Sequence, residues 1–211
     1  GRVDSDVGSG VTAMFSGSTL RVFYYDAANG NLRQGYYTGG VWHFETVDGE
    51  GGASGRVDAD VGTRNTSAGQ LMLDPSDPNY TIGVLNVYYP DSENGDLRLA
   101  TYSQGAWTFE ILDGAGGPDG RIDADVGESA AVVDDLFTFY WEVFYYDATN
   151  GDLRYGRYDI PAGTWEFRTL DGAGGGNGRI DGDVGSELSA TSHSSGPAVF
   201  YYDATNGNLR S

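Results

Sequence analysis

The sequence predicts an all-β fold, a β-propeller built from tandem four-stranded antiparallel blades, with about three and a half repeats in the chain. Three observations carry this. Three motifs recur in the same order along the 211 residues. The composition, with 34 Gly, 15 Tyr, 9 Phe and 4 Trp, suits many short strands joined by tight turns. No window places apolar residues at i, i+3, i+4 and i+7 over three turns, as an amphipathic helix would.

The first motif, Gly-Arg-(Val/Ile)-Asp-x-Asp-Val-Gly, stands at Gly1–Gly8, Gly55–Gly62, Gly120–Gly127 and Gly178–Gly185, so repeat starts are separated by 54, 65 and 58 residues. The second, Tyr-Tyr-Asp-Ala-x-Asn-Gly-x-Leu-Arg, stands at Tyr24–Arg33, Tyr145–Arg154 and Tyr201–Arg210. A variant at Tyr88–Arg98 reads as lengthened by one residue through Pro90. The third, Trp-x-Phe-(Glu/Arg)-x-(Val/Leu)-Asp-Gly, begins at Trp42, Trp107 and Trp165. One tandem-repeat domain over 1–211 is expected, with repeats at about 1–54, 55–119, 120–177 and an incomplete 178–211.

Each repeat yields its strands in turn. Leu20–Tyr25, Glu142–Tyr146 and Ala198–Tyr202 are β-branched and aromatic, as half-buried strands require. Asn29-Gly30, Asn94-Gly95, Asn150-Gly151 and Asn206-Gly207 then supply positive φ for a tight turn, so Leu32–Tyr37, Leu97–Tyr102 and Leu153–Tyr158 return as hairpin partners. The Trp-x-Phe segment is a further strand, and a weaker one follows each Asp-Val-Gly, as at Val11–Phe15 and Ala130–Val133. Stacking four-stranded sheets face to face buries surfaces that a lone sheet cannot. Trp42, Trp107 and Trp165 are expected to be equivalent and largely buried. The fourth repeat lacks a Trp strand, so an additional chain or a second copy is expected to complete it along Val199–Tyr202.

Charge narrows the partners. The net charge is −19, from 31 acidic residues against 12 basic ones. Every basic residue is arginine, and Asp outnumbers Glu 23 to 8. Such a surface repels nucleic acid and anionic membranes. The apolar-rich run at 130–144 is broken by Asp134, Asp135 and Glu142, so no membrane insertion is expected. Cysteine is absent, which removes disulfides and thiolate metal sites.

The linkers between repeats have one fixed length. Asp48 to Asp58, Asp113 to Asp123 and Asp171 to Asp181 are each ten residues apart, while other spacings vary. Calcium would impose such a constraint, since it gathers six to eight oxygens on a curved loop. Its candidate ligands are Asp4, Asp6, Asp48, Asp58, Asp60, Asp113, Asp123, Asp125, Asp171, Asp181 and Asp183. The alternative needs no metal: Arg2, Arg56, Arg121 and Arg179, two residues before the first Asp, would bridge carboxylates that also cap turn amides.

Aromatic and arginine side chains form a second candidate set for sugar binding, by ring stacking and hydroxyl bonding: Tyr25, Arg33, Tyr37, Trp42, Tyr89, Arg98, Trp107, Tyr146, Arg154 and Trp165. The competing reading gives each Trp to packing between blades. The order Phe-Tyr-Tyr-Asp, Asn-Gly-x-Leu-Arg, a Tyr pair, Trp and a Gly-rich exit resembles blades of PLL-type and tachylectin-like propeller lectins. That resemblance implies the propeller fold over nearly the whole chain. His43 and His193 sit in unlike contexts, so no triad or zinc constellation is supported and an enzyme is not expected. The expected function is a secreted or cell-surface module that binds a glycan or extracellular polymer, is non-catalytic, and holds calcium in its linkers. A structural repeat of an extracellular fibre or matrix is the alternative.

Overall fold

The computed structural model of the chain describes residues 1–52, 54–62, 68–72, 84–133, 140–172, 176–193 and 196–211. It is all-β, with the strand pattern of propeller blades. The first sheet runs in simple meander order through β1 (Val7–Ser16), β2 (Thr19–Asp26), β3 (Asn31–Thr38) and β4 (Val41–Asp48). The second holds β5 (Ala68–Met72), β6 (Val84–Asp91), β7 (Asp96–Ser103) and β8 (Ala106–Asp113). The third holds β9 (Val126–Val133), β10 (Tyr140–Asp147), β11 (Asp152–Asp159) and β12 (Thr164–Asp171). In the fourth, β13 (Val184–His193), β14 (Gly196–Asp203) and β15 (Asn208–Arg210) are present among the described residues.

The hairpins differ in detail from expectation. Asp26 pairs with Asn31 across the β2–β3 turn, so the loop comprises residues 27–30 and is longer than a two-residue turn. Only its glycine takes positive φ (Gly30, +68°). Asn29 instead donates its side-chain amide to both Asp26 carboxylate oxygens, at 2.9 and 3.1 Å. Asn94 on Asp91, Asn150 on Asp147 and Asn206 on Asp203 repeat this closure. The paired turn residues thus divide their work, one setting backbone conformation and the other locking the loop.

Two further expectations need correction. Counted from the turn aspartate, Asp91 to Arg98 matches Asp26 to Arg33 residue for residue. Pro90 therefore replaces the second tyrosine of the motif rather than lengthening it, and Tyr89 is the counterpart of Tyr24, Tyr145 and Tyr201. In the fourth sheet, Tyr201 and Tyr202 pair with Arg210 and Leu209 of β15, so this stretch of β14 is not an open edge.

By contact the chain forms two compact units. One is Gly1–Asn94 with Arg98–Ile111, the other Gly95–Leu97 with Leu112–Ser211. The core of the first gathers Phe23, Leu32, Val47, Ala59, Val61, Leu85, Val87, Tyr89 and Ala100 from facing sheets. The second gathers Val133, Phe144, Leu153, Tyr155, Val184 and Tyr201. Alternation along each strand presents these residues to one face, as period-2 patterning requires.

Glycine fixes the close approaches. Gly8 and Gly49 share a φ near the mirror-β region, +107° and +112°. A Cβ on Gly8 would meet nothing within 4 Å, whereas one on Gly49 would lie 2.9 Å from the Gly30 carbonyl oxygen and against Asn31. Gly8→Ala carries backbone strain alone, about 1–3 kcal/mol. Gly49→Ala adds a backbone clash and should cost at least about 1 kcal/mol more in urea unfolding; equal costs would mean that the approach of the linker to the turn is not tight.

Candidate functional site

The linker aspartates stand at the end of a Trp-x-Phe strand, where the chain leaves one sheet for the next. Asp113, the last residue of β8, accepts N–H bonds on Oδ1 from Gly114 (3.0 Å) and Ile122 (2.7 Å). Its Oδ2 accepts the Tyr145 hydroxyl (2.5 Å) and Arg154 Nε (3.1 Å), with Arg154 Nη2 at 3.0 Å. Asp48 repeats the arrangement with Gly49 and Val57 amides, Tyr89 and Arg98. Asp171 does so with Gly172 and Ile180 amides, Tyr201 and Arg210. Each guanidinium also donates from Nη2 to a glycine carbonyl opening its own repeat: Gly55, Gly120 and Gly178.

This latch explains the fixed linker length. One carboxylate oxygen bridges the amides one and nine residues ahead, so the loop cannot gain or lose a residue without losing a bond. The three carboxylates are buried, Asp48 and Asp113 completely. Sequence reasoning foresaw the alternative of Arg–Asp bridges but assigned the wrong arginines. Arg56 lies 3.8 Å from Glu50, Arg179 donates to the Thr169 carbonyl, and Arg2 and Arg121 stack over Phe44 and Phe167. The partner of each linker Asp is the arginine of the following Asn-Gly-x-Leu-Arg hairpin.

Other predicted calcium ligands lie elsewhere. Asp4, Asp6, Asp58, Asp123, Asp125, Asp181 and Asp183 are exposed, and Asp60 is half-buried. Asp60 Oδ1 accepts the Tyr25 hydroxyl (2.8 Å) and Asp183 Oδ1 that of Tyr146 (2.7 Å). The Asp6, Asp60, Asp125 and Asp183 carbonyls accept the amides of Ala27, Ser92, Ala148 and Ala204, pinning each hairpin turn. Among the described residues, no three His, Cys, Asp or Glu side chains gather as a cation would need. A polar cleft of about 460 Å³ in the second unit has Asp152, Asp181 and Asp183 on its wall beside the Tyr146–Gly151 turn.

The predicted sugar-binding residues separate by burial. Arg98, Arg154 and Tyr89 are enclosed in latches, and Arg33 is buried. Tyr25 and Tyr146 are held by the aspartates just named. The tryptophans are equivalent in register but unequal in exposure. Trp165 is 6 % exposed, Trp107 is half-buried edge-on to Phe23, and Trp42 is 42 % exposed beside the exposed Tyr37. Uniform burial of the three is therefore corrected.

A different concavity was missed. In the second unit, a pocket of about 330 Å³ is lined by Asp119, Gly120, Tyr155, Arg157, Glu166, Phe167 and Arg168. Arg157 donates to Glu166 at 3.0 Å, Arg168 lies over the Tyr155 ring at 4.9 Å, and Tyr155 donates to Glu142. The signal that could have found it is divergence between repeats. Tyr155, Arg157, Glu166 and Arg168 occupy positions held by Gln34, Tyr36, His43 and Glu45 in the first repeat, and by Leu99, Thr101, Thr108 and Glu110 in the second.

Comparison with known proteins yields little beyond fold. No family model matches the chain, and no curated protein does. Among solved structures, the chain is similar to a GH43_1 enzyme from Xanthomonas citri, at 13 % identity and a TM-score of 0.49, over 94 % of this chain and 64 % of that one. The likeness to propeller lectins thus stands at the level of the blade pattern, with no lectin family shown. The neighbour is an enzyme, which overturns the expectation that lack of a triad or zinc constellation makes this chain non-catalytic; that expectation is withdrawn.

Two outcomes follow from the latch. Asp113→Asn leaves the Arg154 guanidinium buried without its counter-charge, so unfolding free energy should fall by about 3–5 kcal/mol. Glu166→Gln, at the exposed Arg157 pair, should cost under about 1 kcal/mol. Alkaline pH is the second lever. Burial first, then the adjacent carboxylate, holds the Tyr89 and Tyr145 phenols well above their ordinary 10.0, and Tyr25 is pushed up to about 12. Above pH 10 the unfolded chain releases these protons while the folded chain keeps them, so stability is complete below pH 10 and falls as pH rises beyond it. Melting temperature should drop over that range, with the 295 nm phenolate absorbance of these tyrosines appearing on unfolding rather than before it.

Proposed function

We propose that the protein is a carbohydrate-binding β-propeller whose ligand enters the pocket on the β9–β12 sheet. The observation that carries this is the chemistry of the pocket wall: Arg157, Glu166 and Arg168 on one face of β11 and β12, with Arg168 over the Tyr155 ring. Guanidinium donors and a carboxylate acceptor set side by side suit the adjacent hydroxyls of a sugar. About 330 Å³ is room for one or two sugar rings. A net charge of −19 disfavours sulfated or uronic polymers, so the expected ligands are neutral glycans, displayed outside the cell or at its surface. Calcium forms no part of this reading, because Asp48, Asp113 and Asp171 are already bonded to protein donors.

A screen of immobilised neutral glycans, followed by calorimetry on the best, tests the proposal. Arg157→Ala and Glu166→Gln should each weaken binding roughly tenfold or more, as expected for loss of a charged hydrogen-bonding group. Trp42→Ala, outside the pocket, should leave affinity unchanged. Retention of no glycan, or equal affinity of all three variants, would sink the reading.

A further inference from the structure

Asn-Gly pairs stand in the sequence at 29–30, 94–95, 150–151, 177–178 and 206–207. Such a pair can react with itself. The glycine backbone nitrogen, on losing its proton, adds to the asparagine Cγ; the N–Cγ bond forms, the Cγ–Nδ2 bond breaks, and Nδ2 leaves as ammonia. Water then opens the five-membered imide at either carbonyl, giving aspartate or isoaspartate. Glycine permits this because no side chain shields its nitrogen. In the hairpin turns the leaving amide is held. Asn29 Nδ2 donates to both Asp26 carboxylate oxygens, Asn94 to Asp91, Asn150 to Asp147 (2.8 Å) and Asn206 to both oxygens of Asp203. The attacking nitrogen is held too: Gly30, Gly151 and Gly207 N–H donate to the Asp26, Asp147 and Asp203 carbonyls at 2.9, 2.9 and 2.8 Å. Both bonds must be given up before the nitrogen can reach Cγ, and the first has a charged acceptor.

Asn177 has neither restraint. It is exposed, and among the described residues neither its side-chain amide nor the Gly178 N–H makes a hydrogen bond. Residues 176–179 form a turn closed by Arg179 N–H on the Gly176 carbonyl (3.0 Å), with Asn177 and Gly178 both at positive φ, +52° and +86°. Left-handed backbone is costly for an L-residue, and no side-chain bond offsets that cost here. The openness belongs to the position. Asp119, its counterpart beside the four-stranded β9–β12 sheet, is likewise exposed at φ +64°, and the bond it makes is from its carbonyl oxygen to Phe167 N–H.

We propose that Asn177 is a modification site at which the chain deamidates itself, and that the turn aspartates guard the hairpin Asn-Gly pairs against the same reaction. The aspartate product is the residue the third repeat already carries at this position, Asp119. The isoaspartate product routes the backbone through an extra methylene. It thereby shifts Gly178, whose carbonyl oxygen accepts Arg210 Nη2 (3.0 Å). Each product adds a negative charge, and the second also loosens the outer bond of the Asp171–Arg210 latch.

Incubation of the folded chain at mildly alkaline pH, followed by peptide mass spectrometry, tests this. Cleavage after arginine places Asn29, Asn150, Asn177 and Asn206 on separate peptides, so each conversion is timed within one sample. Asn177 should convert roughly tenfold or more faster than the other three, the factor for one charge-assisted hydrogen bond that must first break. In concentrated urea the four rates should draw together, since the local sequences are then all that differ. Asp147→Ala should speed conversion of Asn150 while Asn29 and Asn206, the internal gauge of folding, stay slow. Equal rates at the four sites in the folded chain, or Asn177 trailing the turn asparagines, would overturn the proposal, as would an unchanged Asn150 rate in a folded Asp147→Ala chain. The order of conversion in the unmutated chain decides the matter even if that variant fails to fold.

Discussion

A buried carboxylate held by four protein donors is the constraint from which the rest of the described structure follows. Moving a charge out of water is costly unless its attractions and hydrogen bonds are all made. In each latch they are: two backbone amides on one oxygen, a phenol and a guanidinium on the other. The requirement runs across repeats, because the carboxylate ends one Trp strand while the phenol and guanidinium belong to the next hairpin. Sheets joined this way are held in register by an interaction that neither can satisfy alone. Arginine is the cation that fits. Arg154 reaches Asp113, the Gly120 carbonyl and Thr169 Oγ1 at once from a planar fork, which a lysine ammonium could not span.

Local patterning made the blades legible. Strand and turn signals act within about ten residues, so alternation and Asn-Gly pairs placed β2, β3, β10, β11 and β14 to within a residue or two. The latch was only half legible, and the reason is distance. Fixed spacing from Asp48 to Asp58 showed that the loop was constrained, but the constraining partner, Arg98, is 50 residues from Asp48. Nearer arginines and a hypothetical cation were the local candidates. Pro90 misled for a related reason, since the motif aligns by its tyrosines in sequence but by its turn aspartate in space.

The aspartates divide into two populations that sequence alone cannot separate. Asp113 and Asp125 sit in similarly Gly-rich, acidic surroundings, yet the first is fully buried and the second exposed. Strand position decides between them. Asp113 ends a β-strand and turns inward over the following hairpin, whereas Asp125 offers its backbone carbonyl inward and leaves its side chain outside. The same geometry gives Asp60 and Asp183 a tyrosine each. Asp125 has Pro90 at the position of that tyrosine, and proline has no hydroxyl to offer. Charge on this protein is thus partly structural and partly a solvated coat, and only the second share governs how it meets a ligand.

Repetition itself inverts the search for function. Residues that recur in every repeat, such as the Tyr and Arg of the hairpin, attract attention as candidate binding groups. Here they are absorbed by the latch and the turn, which every blade needs. Trp165 and Arg154 are too enclosed to meet a sugar. Recognition therefore has to use positions where one blade departs from the others. The β11–β12 pocket follows that rule: Tyr155, Arg157, Glu166 and Arg168 differ from their counterparts in both earlier repeats, while the Phe and Gly beneath them recur. A repeat framework can change such side chains one blade at a time without disturbing its latches, because they lie on alternate strand positions from the latch arginine or on the neighbouring strand. Fold and specificity are then carried by different residues of the same two strands.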